Sequence, residues 1–447
     1  METVSAASSS TKRPRALDGV TAYHWVVVLV AAAGWVFDCM DQRIFALCRE
    51  PALRELLPGA SAADVRTWGG WATAVMMIGW ATGGIVFGAM SDTAGRRATM
   101  IVTLLVYSGF TGISGFAHSP GAFLTYRFLT GLGIGGMFGA ATTLVAESVP
   151  DAFRALALGS LQALSASGNL VGSLLSTRLA PGASDVWLGF SGWRLLFFAG
   201  VLPALLVAPV LLVLREPAVW RAARASRDGR TERPNPVQAL LADARWRKNL
   251  LVGLGLGLAG MAGLWGIGWF SPELVSSALA GQPQAAIDAA RAWGTAAQDI
   301  GSFFGMLAFT FVAASLGRKP AFAGAFVLCI VTTVFAFNCL RSASDAYWML
   351  PLMGFSQLSV FGGYSIYFPE LFPTRLRGTG VGLCYNAVRY LAAGFPVALM
   401  ALNQLFVAHG ATEPFRKSAT VLTAAFALGL VTLRWAPETK GRPLAEG

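Results

Sequence analysis

The sequence predicts an all-α membrane protein, with twelve transmembrane helices arranged as two pseudo-symmetric six-helix bundles. Three observations lead there. The 447 residues are 55% hydrophobic and only 13% charged, which is not the composition of two soluble globules. Apolar runs long enough to cross a hydrocarbon core, ~20 residues each, recur along the whole chain. The chain also repeats itself at a fixed offset, so that one set of six spans is related to the next.

In order, the candidate spans are 24–48, 68–91, 98–117, 121–146, 155–178, 192–214, 249–270, 291–315, 320–340, 346–368, 378–408 and 417–436. The stretch 1–23, with Lys12, Arg13 and Arg15, lacks a cleavable-signal pattern and reads as a disordered tail. An even number of spans puts both termini on one side. Lys and Arg concentrate in the segments of that side, which makes it the cytoplasm. The expected organisation is a tail 1–23, a half 24–214, a cytoplasmic linker 215–248, a half 249–436 and a tail 437–447, multi-pass in the cytoplasmic (inner) membrane. The net charge of +11 is then a topology signal and gives a nucleic-acid partner little weight. Five cysteines in or at the ends of spans, with no Cys-x-x-Cys pair, read as packing residues. Three histidines make a histidine metal cluster implausible, and no metal or cofactor is expected.

The repeat is specific. Glu147-x-x-Pro150-x3-Arg154-x4-Gly159 returns as Glu370-x-x-Pro373-x3-Arg377-x4-Gly382, an offset of 223 residues. Gly95-Arg96-Arg97 returns as Gly317-Arg318-Lys319, and Glu216 past span 6 as Glu438 past span 12, both at an offset of 222. Parallel halves of this kind belong to carriers whose site lies between them near the bilayer midplane. The linker holds nine basic residues, and Pro236 stands where a helix can start. Val237 to Arg247 can then form an amphipathic helix on the membrane surface.

Charges inside spans are the functional signal, because one at bilayer depth costs at least ~2.5–3.5 kcal/mol. Span 1 carries Asp38, Asp41 and Arg43, and the two acids, three apart, share a helical face. Arg43 lies about 200° around the helix from Asp41, and the sequence offers it no partner. Span 4 carries Arg127 ahead of a packing ladder of glycines at 131, 133, 135 and 136. Arg127 is ~9 Å in from the outer end and Asp41 ~10 Å, so the two are level. Arg389 of span 11 lies ~16 Å from the cytoplasmic end, level with Asp38. It reads as an anion-binding fork or as the partner of a backbone carbonyl near Pro396. Asp299, Gln298, Gln162, Asn169, Gln357, Tyr364 and Asn386 are further candidates for lining a path, with Trp265 and Trp269.

Gly88-Ala-Met-Ser-Asp92-Thr-Ala-Gly95-Arg96-Arg97, between spans 2 and 3, resembles the G-x-x-x-D-x-x-G-R-R loop of the major facilitator superfamily. The resemblance covers the whole chain. It implies the major facilitator fold, with this loop latching the cytoplasmic side in the outward-open state, and a role for Arg127 in proton coupling. The Glu147 and Glu370 loops and Pro437-Glu-Thr-Lys-Gly441 are similar to those of sugar porters and metabolite:proton symporters. The span-1 aspartates with Arg389 resemble transporters of aromatic acids and sialic acid. On this reading Gly88, Asp92, Gly95, Arg96, Arg97, Glu147, Arg154, Arg318, Glu370, Arg377 and Glu438 form a cytoplasmic gate. Its surface ion pairs, ~0–1 kcal/mol each, would break as the halves rock. The expected function is secondary transport of a small organic acid by proton symport, by a monomer whose partners are substrate, proton and bilayer. Asp38 or Asp41 would carry the proton, Arg127 would tune it, and Arg389 would hold the carboxylate. A neutral sugar or polyol, or drug antiport, are the alternatives on the same fold. No zinc motif, nucleotide loop or nucleophile elbow points to an enzyme.

Overall fold

The computed structural model describes residues 17–226, 235–392 and 394–445, and among them there is helix and loop but no β-strand. The first half contains α1 (Ala22–Leu56), α2 (Ala62–Ala94), α3 (Arg96–Ser114), α4 (Pro120–Ser148), α5 (Asp151–Leu179) and α6 (Gly192–Leu212). The second contains α7 (Ala244–Ala278), α8 (Gln284–Ser315), α9 (Arg318–Cys339), α10 (Ala343–Leu371), α11 (Thr374–Ala408) and α12 (414–432). Helix starts follow local chemistry. The Ser61 hydroxyl accepts from the Asp64 N–H and the Asp64 carboxylate from the Ser61 N–H, and Ser342 and Asp345 repeat this box at α10. Breaks do too: α6 tightens over Leu202–Leu206 around Pro203, and α7 over Gly268–Phe270 just before Pro272.

Eight of these helices are long and apolar enough to span on hydropathy alone, whereas α3, α5, α10 and α12 are shorter, broken or more polar. Two sequence expectations differ from the structure. Helix α1 runs past residue 48 to Leu56, because its last turns are amphipathic: Ala52, Leu53 and Leu56 are buried while Glu50 and Arg54 face out. The linker helix covers Pro236–Ala242 only. Asp243 ends it by accepting the N–H groups of Arg245 and Trp246, which caps α7. The tail 1–16 and the linker centre 227–234 lie outside the described residues.

The halves are built alike. Helix α2 packs on α4 and α3 on α4; in the second half α8 packs on α10 and α9 on α10. Glycines bring the first pair of each half into backbone contact. A Cβ at Gly135 would lie 2.0 Å from the Trp80 carbonyl oxygen, and one at Gly305 1.9 Å from that of Phe355. The halves meet along α2–α11 and α5–α8. Helix α2 stays against residues 374–392 of α11, whereas Gly394–Ala408 packs on α7 and α12. The described termini mark one end of the bundle: the Tyr23 hydroxyl accepts the Arg215 N–H at 3.1 Å, and Arg377 donates to the Ala445 carbonyl at 3.2 Å. At this termini-bearing end α2 and α11 hold the halves together, with Gly88 and Gly378 in backbone contact.

Candidate functional site

The termini-bearing end is held by buried charges. Gly95 takes φ +116°, a conformation glycine tolerates, so α3 starts directly after α2 and Arg96 turns inward. Arg96 donates from Nε and Nη2 to the two oxygens of Glu147 at 2.9 and 3.0 Å. It also donates to the Ser91 and Thr374 carbonyls at 2.6 and 2.5 Å. Arg377 of α11 donates to the same Glu147 from the other half. Asp92 accepts the N–H groups of Gly378 and Thr379 at 2.9 and 2.8 Å and the Thr379 hydroxyl at 2.7 Å. It thereby satisfies the orphan donors where α11 becomes α-helical. Gly88 makes the approach possible, since a Cβ there would lie 2.8 Å from the Gly378 oxygen.

A second cluster sits mid-span. Asp38 is fully buried, and beyond a side-chain interaction with Gln42, four residues on, its carboxylate oxygens make no close hydrogen bond among the described residues. The charged side chains acting on it are Asp41 and, from the other half, Arg389. Arg389 is boxed by aromatic rings: its guanidinium carbon lies 3.6 Å from the Trp80 centroid, 5.3 Å from Tyr385 and 6.0 Å from Trp265. Nε makes a long bond of 3.4 Å to Asn386 Oδ1, and Nη1 has no partner among the described residues. Tyr385 and Asn386 sit on a π-helical turn, Leu383–Ala387, immediately ahead of Arg389, a distortion common at functional sites. Tyr385 stacks on Phe138 of α4 with centroids 3.7 Å apart, and Asn386 donates to the Gly135 carbonyl at 3.0 Å. Both contacts, the stack and the hydrogen bond, cross between halves.

Asp41 looks into the first half. It accepts the Thr111 hydroxyl at 2.8 Å and lies 3.8 Å from Arg127 Nη1. Arg127 donates to the Ser114 hydroxyl at 3.2 and 2.5 Å and covers the Phe197 ring at 4.6 Å. Arg43 finds its partner in Asp299 of α8 at 2.8 Å, again across the halves.

A sequence profile of the Major Facilitator Superfamily matches residues 59–396. The chain belongs to that superfamily. It is 29% identical over 332 residues to the cis,cis-muconate transport protein of Acinetobacter baylyi, covering 72% of this chain and 75% of the relative. It is 24% identical to the niacin transporter of the same species, over 94% of this chain and 96% of that one. To the sialic acid transporter NanX of Escherichia coli it is 29% identical, over 68% and 70%. In fold it is similar to the proton:xylose symporter XylE, with a TM-score of 0.76 at 19% identity over 94% of this chain and 98% of that one. This major facilitator chain is therefore a multi-pass membrane transporter of small molecules and not an enzyme.

Set against its sequence, this superfamily member corrects part of the expected gate. Glu147, Arg96, Arg377 and Asp92 are sealed from solvent and are not weak surface pairs. Two guanidinium groups share one carboxylate and find carbonyls for further donors, so removing a partner costs roughly 3–5 kcal/mol. Several expected members stay within one half. Arg97 donates to the Val210 and Leu211 carbonyls, Arg154 pairs with Asp151, Arg318 forks onto Glu370 at 3.0 and 2.6 Å, and Glu438 accepts the N–H groups of Arg318 and Lys319. Gly95 shapes its loop without crossing. Among the path candidates, Tyr364 gives its hydroxyl to the Leu256 carbonyl, Gln357 donates to Thr333, and Gln298 packs on Gly354. Gln162 is buried and Asn169, two turns on, half-buried on α5. The Trp269 side chain lies outside the described residues. Sequence reasoning missed Trp80, Tyr385 and Phe138. The signal for Trp80 was its position four residues before Gly84 on the α2 face that meets α11.

Proposed function

We propose that this chain is a proton symporter for a small organic acid, working as a monomer by alternating access in the cytoplasmic membrane with both termini inside. One observation carries the reading. Arg389 is buried mid-span in an aromatic box with an unmatched nitrogen, opposite a buried carboxylate, Asp38, from the other half. A guanidinium held this way suits a carboxylate, which accepts from its fork, on a substrate whose carbon skeleton rests against Trp80 and Tyr385. Relatives named for cis,cis-muconate, niacin and sialic acid support the same class.

The coupling follows from charge. Ionised Asp38 competes with a substrate carboxylate for Arg389, and protonated Asp38 does not, so proton and acid bind together. Asp41, held by Thr111 and only loosely by Arg127 at 3.8 Å, is a second station on the same helical face. Asp92, Arg96, Glu147 and Arg377 form the cytoplasmic gate that opens to release both.

The test is counterflow in proteoliposomes with labelled nicotinate, benzoate, cis,cis-muconate, N-acetylneuraminate and xylose. The acids should exchange and xylose should not. Arg389→Lys keeps the charge but loses the fork, and should raise half-saturation about tenfold. Asp38→Asn should abolish proton-driven accumulation while leaving exchange. An unchanged half-saturation in Arg389→Lys would reject the anion role.

A further inference from the structure

Arg43 and Asp299 have no part in that scheme. Arg43 stands ~7.5 Å beyond Asp38 along α1, towards the end away from the described termini. Its Nη2 donates to Asp299 Oδ2 at 2.8 Å, end-on through a single nitrogen, so the fork is not used up. Both side chains remain reachable, at 30% and 40% exposure, whereas Asp38 and Arg389 are at 0% and 2%. The stem of Arg43 is nevertheless positioned: a Cβ at Gly172 of α5 would meet its Cβ and Cγ at 3.0 and 3.1 Å. An accessible charge pair that bridges the halves contributes little to stability. It lies one step before a sealed arginine of the same chemistry.

We propose that Arg43 is a first docking point for the substrate's carboxylate and that Asp299 is the internal carboxylate the substrate displaces. The inference rests on the reading of Arg389 as the anion site and adds a second station to it. An acid arriving from the end away from the termini meets Arg43 first and takes the place of Asp299 on the guanidinium. One carboxylate replaces another, so the exchange leaves Arg43 paired throughout. A neutral molecule has nothing to offer in return for Asp299, so the pair selects for anions before the buried site is reached. The acid then passes on to Arg389.

Uptake kinetics of labelled nicotinate, benzoate and cis,cis-muconate in proteoliposomes, on wild type, Arg43→Gln, Asp299→Asn and Arg389→Lys, test it. Arg43→Gln should raise KM about tenfold with Vmax within about twofold, the loss of one charge-assisted hydrogen bond. Asp299→Asn should move KM the other way, down about threefold, because Arg43 no longer has a competitor. If the pair only closes the outer side, the two variants change Vmax alike and leave KM alone, and the docking role is overturned. Failure of the underlying reading looks different: wild type moves none of the three acids, or Arg389→Lys leaves their KM unchanged. Thermal melting of each purified variant identifies any that fail to fold, and Arg43→Met, which keeps the stem and removes charge and donors, then replaces Arg43→Gln, with the same rise in KM expected and an unchanged KM counting against the proposal.

Discussion

The loop joining α2 to α3 and the loop joining α8 to α9 are the same structure made twice. Gly95 and Gly317 have φ of +116° and +117°. Arg96 and Arg318 both fork onto a glutamate, Glu147 or Glu370, and both donate to a carbonyl five residues back. Glu216 and Glu438 both receive the first N–H groups of the next helix. Among the described residues, however, only the first loop reaches across to the other half. Ala314 stands where Asp92 does, and it is exposed. Arg377 crosses to Glu147, while its counterpart Arg154 pairs with Asp151 at home and Glu370 takes the Thr439 hydroxyl instead. The difference teaches that a duplicated motif makes a rigid corner in each half, and that one carboxylate and one free helix start turn one corner into an inter-half latch.

That asymmetry can be broken on purpose. The largest effect is expected from Glu147→Gln, which leaves Arg377 without a carboxylate and Arg96 with Asp92 alone, at 3.1 Å, a loss of roughly 3–5 kcal/mol. Spin labels at Thr93 and Lys319 in a cysteine-free background should move apart, and uptake should fall about a hundredfold. Glu370→Gln should leave that distance unchanged; equal responses would end the comparison. Asp92→Asn keeps one acceptor but loses the charge at the α11 start, and should weaken the closed state by about 1–2 kcal/mol, read from the same distance distribution. Gly88→Ala forces a methyl to 2.8 Å from the Gly378 oxygen and should cost a comparable ~1–3 kcal/mol. The smallest effect belongs to Ala314→Asp, within ~0.5 kcal/mol in melting temperature and without effect on uptake. It supplies the acid, but the facing stretch of α5 begins at Asp151, so the N–H groups near Ala155 are already bonded inside the helix.

Much of this was readable in advance, for definite reasons. Eight spans clear the length and hydropathy that a bilayer needs, and the two halves follow from residues repeated at offsets of 222 and 223. The level of Asp41 with Arg127 follows from helical rise alone, and the structure brings them to 3.8 Å. Burial at the termini-bearing end was not readable. Charged loop residues look like surface until the other half covers them, which is how Glu147 and Arg377 came to be expected as weak pairs. Nor could the partner of Arg43 be read, because Asp299 lies 256 residues away on a helix whose rotation the sequence leaves open. Trp80 and Tyr385 were hidden among 14 tryptophans and 8 tyrosines, nearly all in apolar context.

The sequence by itself determined the family, the twelve-helix fold and the common level of Asp41 and Arg127, because period, length and rise are local properties of a helix. Which way each helix is turned, and therefore that Arg389 is boxed by Trp80 and Tyr385 opposite Asp38, was decided only by packing between the halves. The backbone approaches of Gly84 to Gly382 and Gly88 to Gly378 fix the rotation of α11 against α2, and no single segment carries that information.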